Sequence, residues 1–324
     1  MRRFLPLLLL LSLILSACQA EPSDPESGLT EITLNLTYIP NIQFAPFYVA
    51  IEKGYYQEEG LQVNLSYGNE SDLIALIGSG SQQFMVASGE QVLLGRAQGL
   101  PVVNVLDWYK DYPVGVVSLA ENNILTPQDL KGKSIGLPGL YGANYIGFEA
   151  LANQIGLSDT DYSLESIGYT QVESLVSKSV DAAVIYVANE PVQLRALGHE
   201  INVIRVADYL ELVGNGLITN EETIANDPEL VQKMVRVMLR ANEFTAKNPD
   251  EAYQICLKYI DNLTSSDEAV QKQVLLESIK LWNLTPSKQE NLARWENMQE
   301  ILLQIGLMSQ PIDLQGAFSD AFLP

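Results

Sequence analysis

Residues 31–67 read EITLNLTYIPNIQFAPFYVAIEKGYYQEEGLQVNLSY, and this stretch decides the fold. Glu31–Tyr38 alternates apolar and polar side chains, the period of a strand with one buried face. Pro40 and Asn41 then break the run as turn residues. Ala45–Gly54 reads as a helix and Leu61–Tyr67 as a second strand. Strand, helix and strand in so short a span form a βαβ unit, whose strands run parallel.

The rhythm continues outward. Asn69 or Ser71 caps a helix over SDLIALIGSG, Phe84–Ser88 is a short buried strand, Glu90–Gln98 a helix and Pro101–Asp107 another strand. After Pro113 the pattern restarts with VGVVSL, SIGLP, the helix ANYIGFEALANQIG, and the strands DYSLESIG and DAAVIYV. Leu76–Glu90 and Leu175–Glu190 share a helix, a small-residue turn, a strand and a closing Glu. Their spacing of about one hundred residues suits two similarly built lobes. A further strand, LVGNGLITN (212–220), precedes a helical tail. The expected fold is α/β and two-lobed, with mostly parallel sheets. Residues 29–114 with 212–324 would form the first lobe and 115–211 the second, joined by two hinge crossings.

Composition narrows the function. The chain has 324 residues, 19 Lys+Arg against 40 Asp+Glu, and a formal net charge of −21. That balance excludes nucleic acid as a partner, because phosphate binding needs clustered cations. With a single His, His199, and two Cys, the chain has few side chains for imidazole- or thiolate-based chemistry. His199 falls in a loop without metal-ligand company, so neither catalytic residues nor a metal site is expected. Gly132-Lys133-Ser134 is no phosphate loop, since position 127 is Pro where a Gly is needed.

The N-terminus gives an address. Arg2 and Arg3 precede an apolar run from Phe4 to Leu15, too short to span a bilayer and suited to a signal peptide. It ends in Leu15-Ser16-Ala17-Cys18, which resembles a bacterial lipobox. Residues 1–17 are thus expected to be removed, Cys18 lipidated, and residues 18–28 a flexible tether to the outer face of the cell membrane. The processed chain would carry 17 basic and 40 acidic side chains, a formal −23. Cys256, in the apolar run AYQICLKYI, is left as a buried structural thiol.

The segment YIPNIQFAPFYVAIEKGYYQEEGLQVNL (38–65) resembles the NMT1/THI5-like solute-binding proteins. TPQDLKGKSIGLP resembles the family's opening to its second lobe. The resemblance implies a type II binding-protein fold, a small-molecule vitamin ligand with no enzymatic cofactor, a monomer, and an ABC permease as partner. Members that handle thiamin pyrimidines carry a His after the Pro-Asn turn, where this chain has Phe44. The similarity is greatest to the riboflavin-binding branch. The alternatives are a binding protein for formylaminopyrimidine or a related thiamin pyrimidine, and a pyrimidine-synthase-like enzyme.

A flavin needs planar apolar walls and polar groups at its edge. Candidates fall where βα loops end, the ligand edge of a parallel sheet. The first lobe offers Tyr38, Asn41, Gln43, Phe44, Ser88, Glu90, Trp108 and Tyr109. The second offers Tyr141, Asn144, Tyr145, Tyr186 and Glu190, and Asn215 lies in the return crossing. Gly136–Ala143 opens a helix whose free N–H groups suit an anion or a hydroxylated chain.

Overall fold

β1 (Thr30–Thr37) begins half exposed and ends buried on both faces, which makes it a central strand. It pairs in parallel with β2 (Leu61–Gly68) and with β3 (Phe84–Ser88), which is buried throughout. Between them run α1 (Ala45–Glu52), a short α2 (Tyr55–Glu58) and α3 (Glu70–Gly78). α4 (Gly89–Ala97) and β4 (Val102–Asp107) complete the first pass. The computed structural model describes residues 28–261, 263, 268–286 and 292–324. The expected leader, Cys18 and the tether up to residue 27 lie outside the described residues.

The chain then crosses to β5 (Val114–Leu119), β6 (Ser134–Leu137), α5 (Gly142–Gln154), β7 (Ser163–Ser166), α6 (Gln171–Val176), β8 (Ala182–Tyr186), α7 (Glu190–Ala196) and β9 (Ile201–Arg205). It returns through β10 (Asn215–Asn220) to α8 (Glu221–Asn226), α9 (Pro228–Lys247), α10 (Pro249–Cys256), α11 (Glu268–Leu281) and α12 (Leu292–Gln304).

Among the described residues the strands form two five-stranded sheets, ordered β2-β1-β3-β10-β4 and β7-β6-β8-β5-β9. The two orders are equivalent. In each sheet one strand alone runs against the others, and it is the strand that arrives from the other lobe: β10 in the first sheet and β5 in the second. The two similar stretches of sequence place β3 and β8 in the same third position.

α9 shows how the tail is held. Asp227 accepts from the Leu230 N–H at 3.0 Å to cap it, and Pro228 fits its first turn. Leu230, Met234, Val237, Met238 and Ala241 recur at helical spacing on its buried face. On its outer face Arg236 pairs with Glu59 at 2.7 Å. Cys256 is buried in the first lobe's core, and burial pushes its thiol well above the ordinary range. Ala188 and Val192 of the second lobe pack into that same apolar cluster, so the lobes are in contact. No helix among the described residues is long and apolar enough to cross a membrane.

Candidate functional site

The carboxyl ends of the parallel strands from both sheets converge on one cleft of about 870 Å³, its open mouth included. On the first-lobe side, β1 ends at Thr37 and Tyr38 adopts φ 122°, a conformation costly for a residue with a Cβ. The Asn41 carboxamide accepts from the Gln43 N–H at 3.0 Å and starts a short 3₁₀ turn, Ile42–Phe44. That turn delivers Gln43 and Phe44 to the cleft wall. Trp108 and Tyr109 follow β4, and both backbone N–H groups donate to the Asn215 carbonyl, at 2.8 and 2.9 Å.

These aromatics form a continuous wall. Phe44 and Trp108 lie 6.2 Å apart with their planes at 23°, and Trp282 continues the stack behind Trp108 at 5.8 Å. Phe44 is 7% exposed and Trp108 1%. Two buried donors of the wall, Gln43 Nε2 and Trp108 Nε1, have no protein acceptor. Buried donors without partners are costly unless a ligand or water serves them.

The second lobe contributes Tyr141, Gly142 and Ala143 at the start of α5, then Tyr169, Gln171, Tyr186, Asn189 and Glu190. Tyr38 meets Tyr169 edge-on across the cleft at 4.7 Å. The Asn215 side chain and the Tyr186 hydroxyl face each other at 3.5 Å. Glu190 accepts from the Tyr186 N–H at 3.2 Å and from Asn189 Nδ2 at 2.9 Å. Burial nevertheless pushes its carboxyl up to about 7.

A second acidic group lies opposite. Glu70, the first residue of α3, accepts from the Ser88 N–H at 3.1 Å and from Ser88 Oγ at 3.0 Å. Ser88 Oγ also sits 2.5 Å from Glu90 Oε1. Glu90 is fully buried, and burial together with the neighbouring Glu70 charge pushes it up to about 8. None of the described residues lining the cleft is Lys, Arg or His.

Of the expected residues, Tyr38, Gln43, Phe44, Trp108, Tyr109, Tyr141, Asn144, Tyr186, Glu190 and Asn215 line this cleft. Asn41, Ser88, Glu90 and Tyr145 do not. Asn41 is occupied as a cap, and Ser88 and Glu90 stand one layer behind Glu70. Tyr145 packs half-buried against the second lobe's core, because one helical step beyond Asn144 turns it to another face of α5. Asn144 gives its Nδ2 donor to the Val184 carbonyl at 3.0 Å, so half of its amide serves the fold.

Sequence reasoning missed Thr37, Gly68, Asn69, Glu70, Pro138, Gly142, Ala143, Tyr169, Gln171 and Asn189 as wall residues. Most of them belong to the loops after β2 and β7 and to the turn into α5. The rule that ligand groups follow strand ends would have found the β2 and β7 loops had it been applied to every strand.

Comparison with known proteins agrees with this architecture. Residues 41–252 match the family described as NMT1/THI5 like. The riboflavin-binding protein RibY of Chloroflexus aurantiacus is 37% identical, covering 99% of this chain and 98% of that protein. A formylaminopyrimidine-binding protein of Halalkalibacterium halodurans is 31% identical, covering 96% of each. Among solved structures, the alkanesulfonate-binding protein SsuA of Xanthomonas axonopodis pv. citri bound to MOPS superposes with a TM-score of 0.71 at 14% identity, covering 90% of this chain and 98% of that one. With two equivalent lobes, a cleft between them and relatives that are binding proteins, this chain belongs to the NMT1/THI5-like family, as a solute-binding protein of the ABC-import type.

Proposed function

We propose that the protein captures riboflavin, or a closely related flavin, in the cleft and delivers it to the permease of an ABC importer. The observation that carries this reading is the wall itself: stacked Phe44 and Trp108 in a cleft whose described lining holds carboxyl groups and no cation. Such a wall suits a flat, uncharged aromatic ligand. The unpartnered donors of Gln43 and Trp108 suit carbonyl oxygens at the edge of an isoalloxazine ring. Glu190, Asn215 and the tyrosine hydroxyls suit its N–H and the hydroxylated chain. The resemblance to RibY supports the same ligand.

The second reading is formylaminopyrimidine, favoured by the relative at 31% identity. Against it, the family resemblance implies a His after the Pro-Asn turn in pyrimidine-handling members, where this chain has Phe44. Calorimetric titration with riboflavin, FMN, formylaminopyrimidine and thiamin separates the two. Riboflavin is expected to bind near micromolar or tighter, about −8 kcal/mol. Silence with riboflavin at high micromolar concentration, alongside binding of a pyrimidine, would overturn the flavin reading.

In this proposal residues 29–114 with 212–324 and residues 115–211 act as lobes that close about the crossings, and the protein works as a monomer. Cys18 carries the lipid that holds it on the extracytoplasmic face of the membrane. Radiolabelled palmitate incorporated by the wild type and lost in Cys18→Ser tests the anchor. The acidic surface docks basic permease loops, so rising salt should weaken stimulation of the permease.

A further inference from the structure

The N-terminus of α5 opens on the cleft through Tyr141, Gly142, Ala143 and Asn144. A helix of 13 residues presents free N–H groups and a positive dipole end there, an arrangement that favours an anion. No side chain of α5's own N-cap residue covers those groups. The carboxylate of Glu70, from the other lobe, stands in their place. Its Oε2 is so close to Gly142 that an added Cβ would lie 3.4 Å from it, and the Ala143 N–H reaches the same carboxylate. Ser88 holds Glu70 from its own side through its N–H and its hydroxyl; burial raises the Glu70 carboxyl above the ordinary range, and these donors act against that rise.

We propose that Glu70 is a specificity-determining residue, an internal anion that fills the anion-favouring end of α5 and so keeps phosphorylated and other anionic ligands out of the cleft. The proposal rests on the reading that the cleft takes an uncharged flavin. A phosphate entering here would meet Glu70 at the helix end and Glu190 across from it, with no cation among the described lining residues to offset them. Gln43 Nε2 and Trp108 Nε1, the buried donors of the wall without a protein acceptor, carry no charge. They satisfy a carbonyl oxygen but do not neutralise a dianion.

The test compares wild type, Glu70→Gln and Glu70→Ala. Riboflavin and FMN are titrated against each, and FMN differs by one phosphate. The wild type should prefer riboflavin, and the ratio of FMN to riboflavin dissociation constants should fall at least tenfold in the variants. An unchanged ratio in a folded variant overturns the proposal. A second arm does not depend on the ligand: thermal melts in inorganic phosphate against chloride at equal ionic strength. Phosphate should raise the melting temperature of Glu70→Ala and leave that of the wild type in place, and an equal response in both overturns the proposal. Should Glu70→Ala fail to fold, the isosteric Glu70→Gln decides through the ratio. Should the wild type bind no riboflavin, the flavin reading fails and the phosphate arm alone decides the role of Glu70.

Discussion

Ser88 Oγ lies 3.0 Å from both carboxyl oxygens of Glu70 and 2.5 Å from Glu90 Oε1, yet a hydroxyl has one proton to give. The geometry is satisfied when Glu90 keeps its own proton and donates it to Ser88, which donates in turn to Glu70. Burial places Glu90 at about 8 and Glu190 at about 7, against 4.5 for an exposed side chain. The folded protein therefore holds protons that the unfolded chain has released. This contribution to stability is complete below the unfolded value of 4.5 and is lost as pH rises through the folded values. The ion-paired carboxylates Glu59 and Asp161 are lowered and act below that window. We predict that the melting temperature falls between about pH 5.5 and about pH 8.5, and that Glu90→Gln flattens the slope. An unaltered slope in that variant would remove Glu90 from the account. At the wall, Phe44→Leu keeps an apolar side chain and removes a ring face. Riboflavin affinity should drop at least tenfold while urea unfolding changes by about 1 kcal/mol; an unchanged affinity takes Phe44 out of the site.

At the scale of elements, β10 threads between β3 and β4 with no room to spare. A Cβ on Gly216 would lie 2.0 Å from Asn104 Oδ1 and 2.7 Å from the Leu106 carbonyl, so a side chain there forces the strand to move. Gly216→Ala should cost about 1–3 kcal/mol in urea unfolding. It should also weaken ligand binding, because Asn215 begins the same strand; a variant as stable as wild type would contradict the crowding. β1, α1 and β2 were legible in the sequence because alternation and helical spacing report burial directly. The reversed direction of β5 and β10 was not, since periodicity says which face is buried and nothing of which way a strand enters its sheet. The same limit governs the site. Phe44 and Trp108 were expected at the cleft, whose wall they line, because each follows a turn or a strand. Glu70 was passed over because an acidic residue at a helix start reads as an ordinary dipole partner. Its meeting with Gly142 depends on how the two lobes pack.

At the scale of the whole molecule, the two sides of the cleft meet where Tyr38 touches Tyr169, Asn215 faces Tyr186, Glu70 stands at the start of α5, and Ala188 with Val192 pack against the first lobe's core. Tyr169 is 51% exposed, so its ring adds little to either core and spans the gap instead. Tyr169→Ala should leave the melting temperature nearly unchanged and speed riboflavin release several-fold in stopped-flow fluorescence. A release rate equal to that of wild type would show that the tyrosine pair does not hold the ligand in. Cys256 has a practical consequence for watching such opening. Sealed in the core with its thiol pushed up, it presents no thiolate to a maleimide. A body starting after Cys18 is thus chemically silent as it stands. Two cysteines introduced on exposed faces of the two lobes would be the sole sites to take a pair of dyes, and each capture and release could be followed in one molecule as a change in colour.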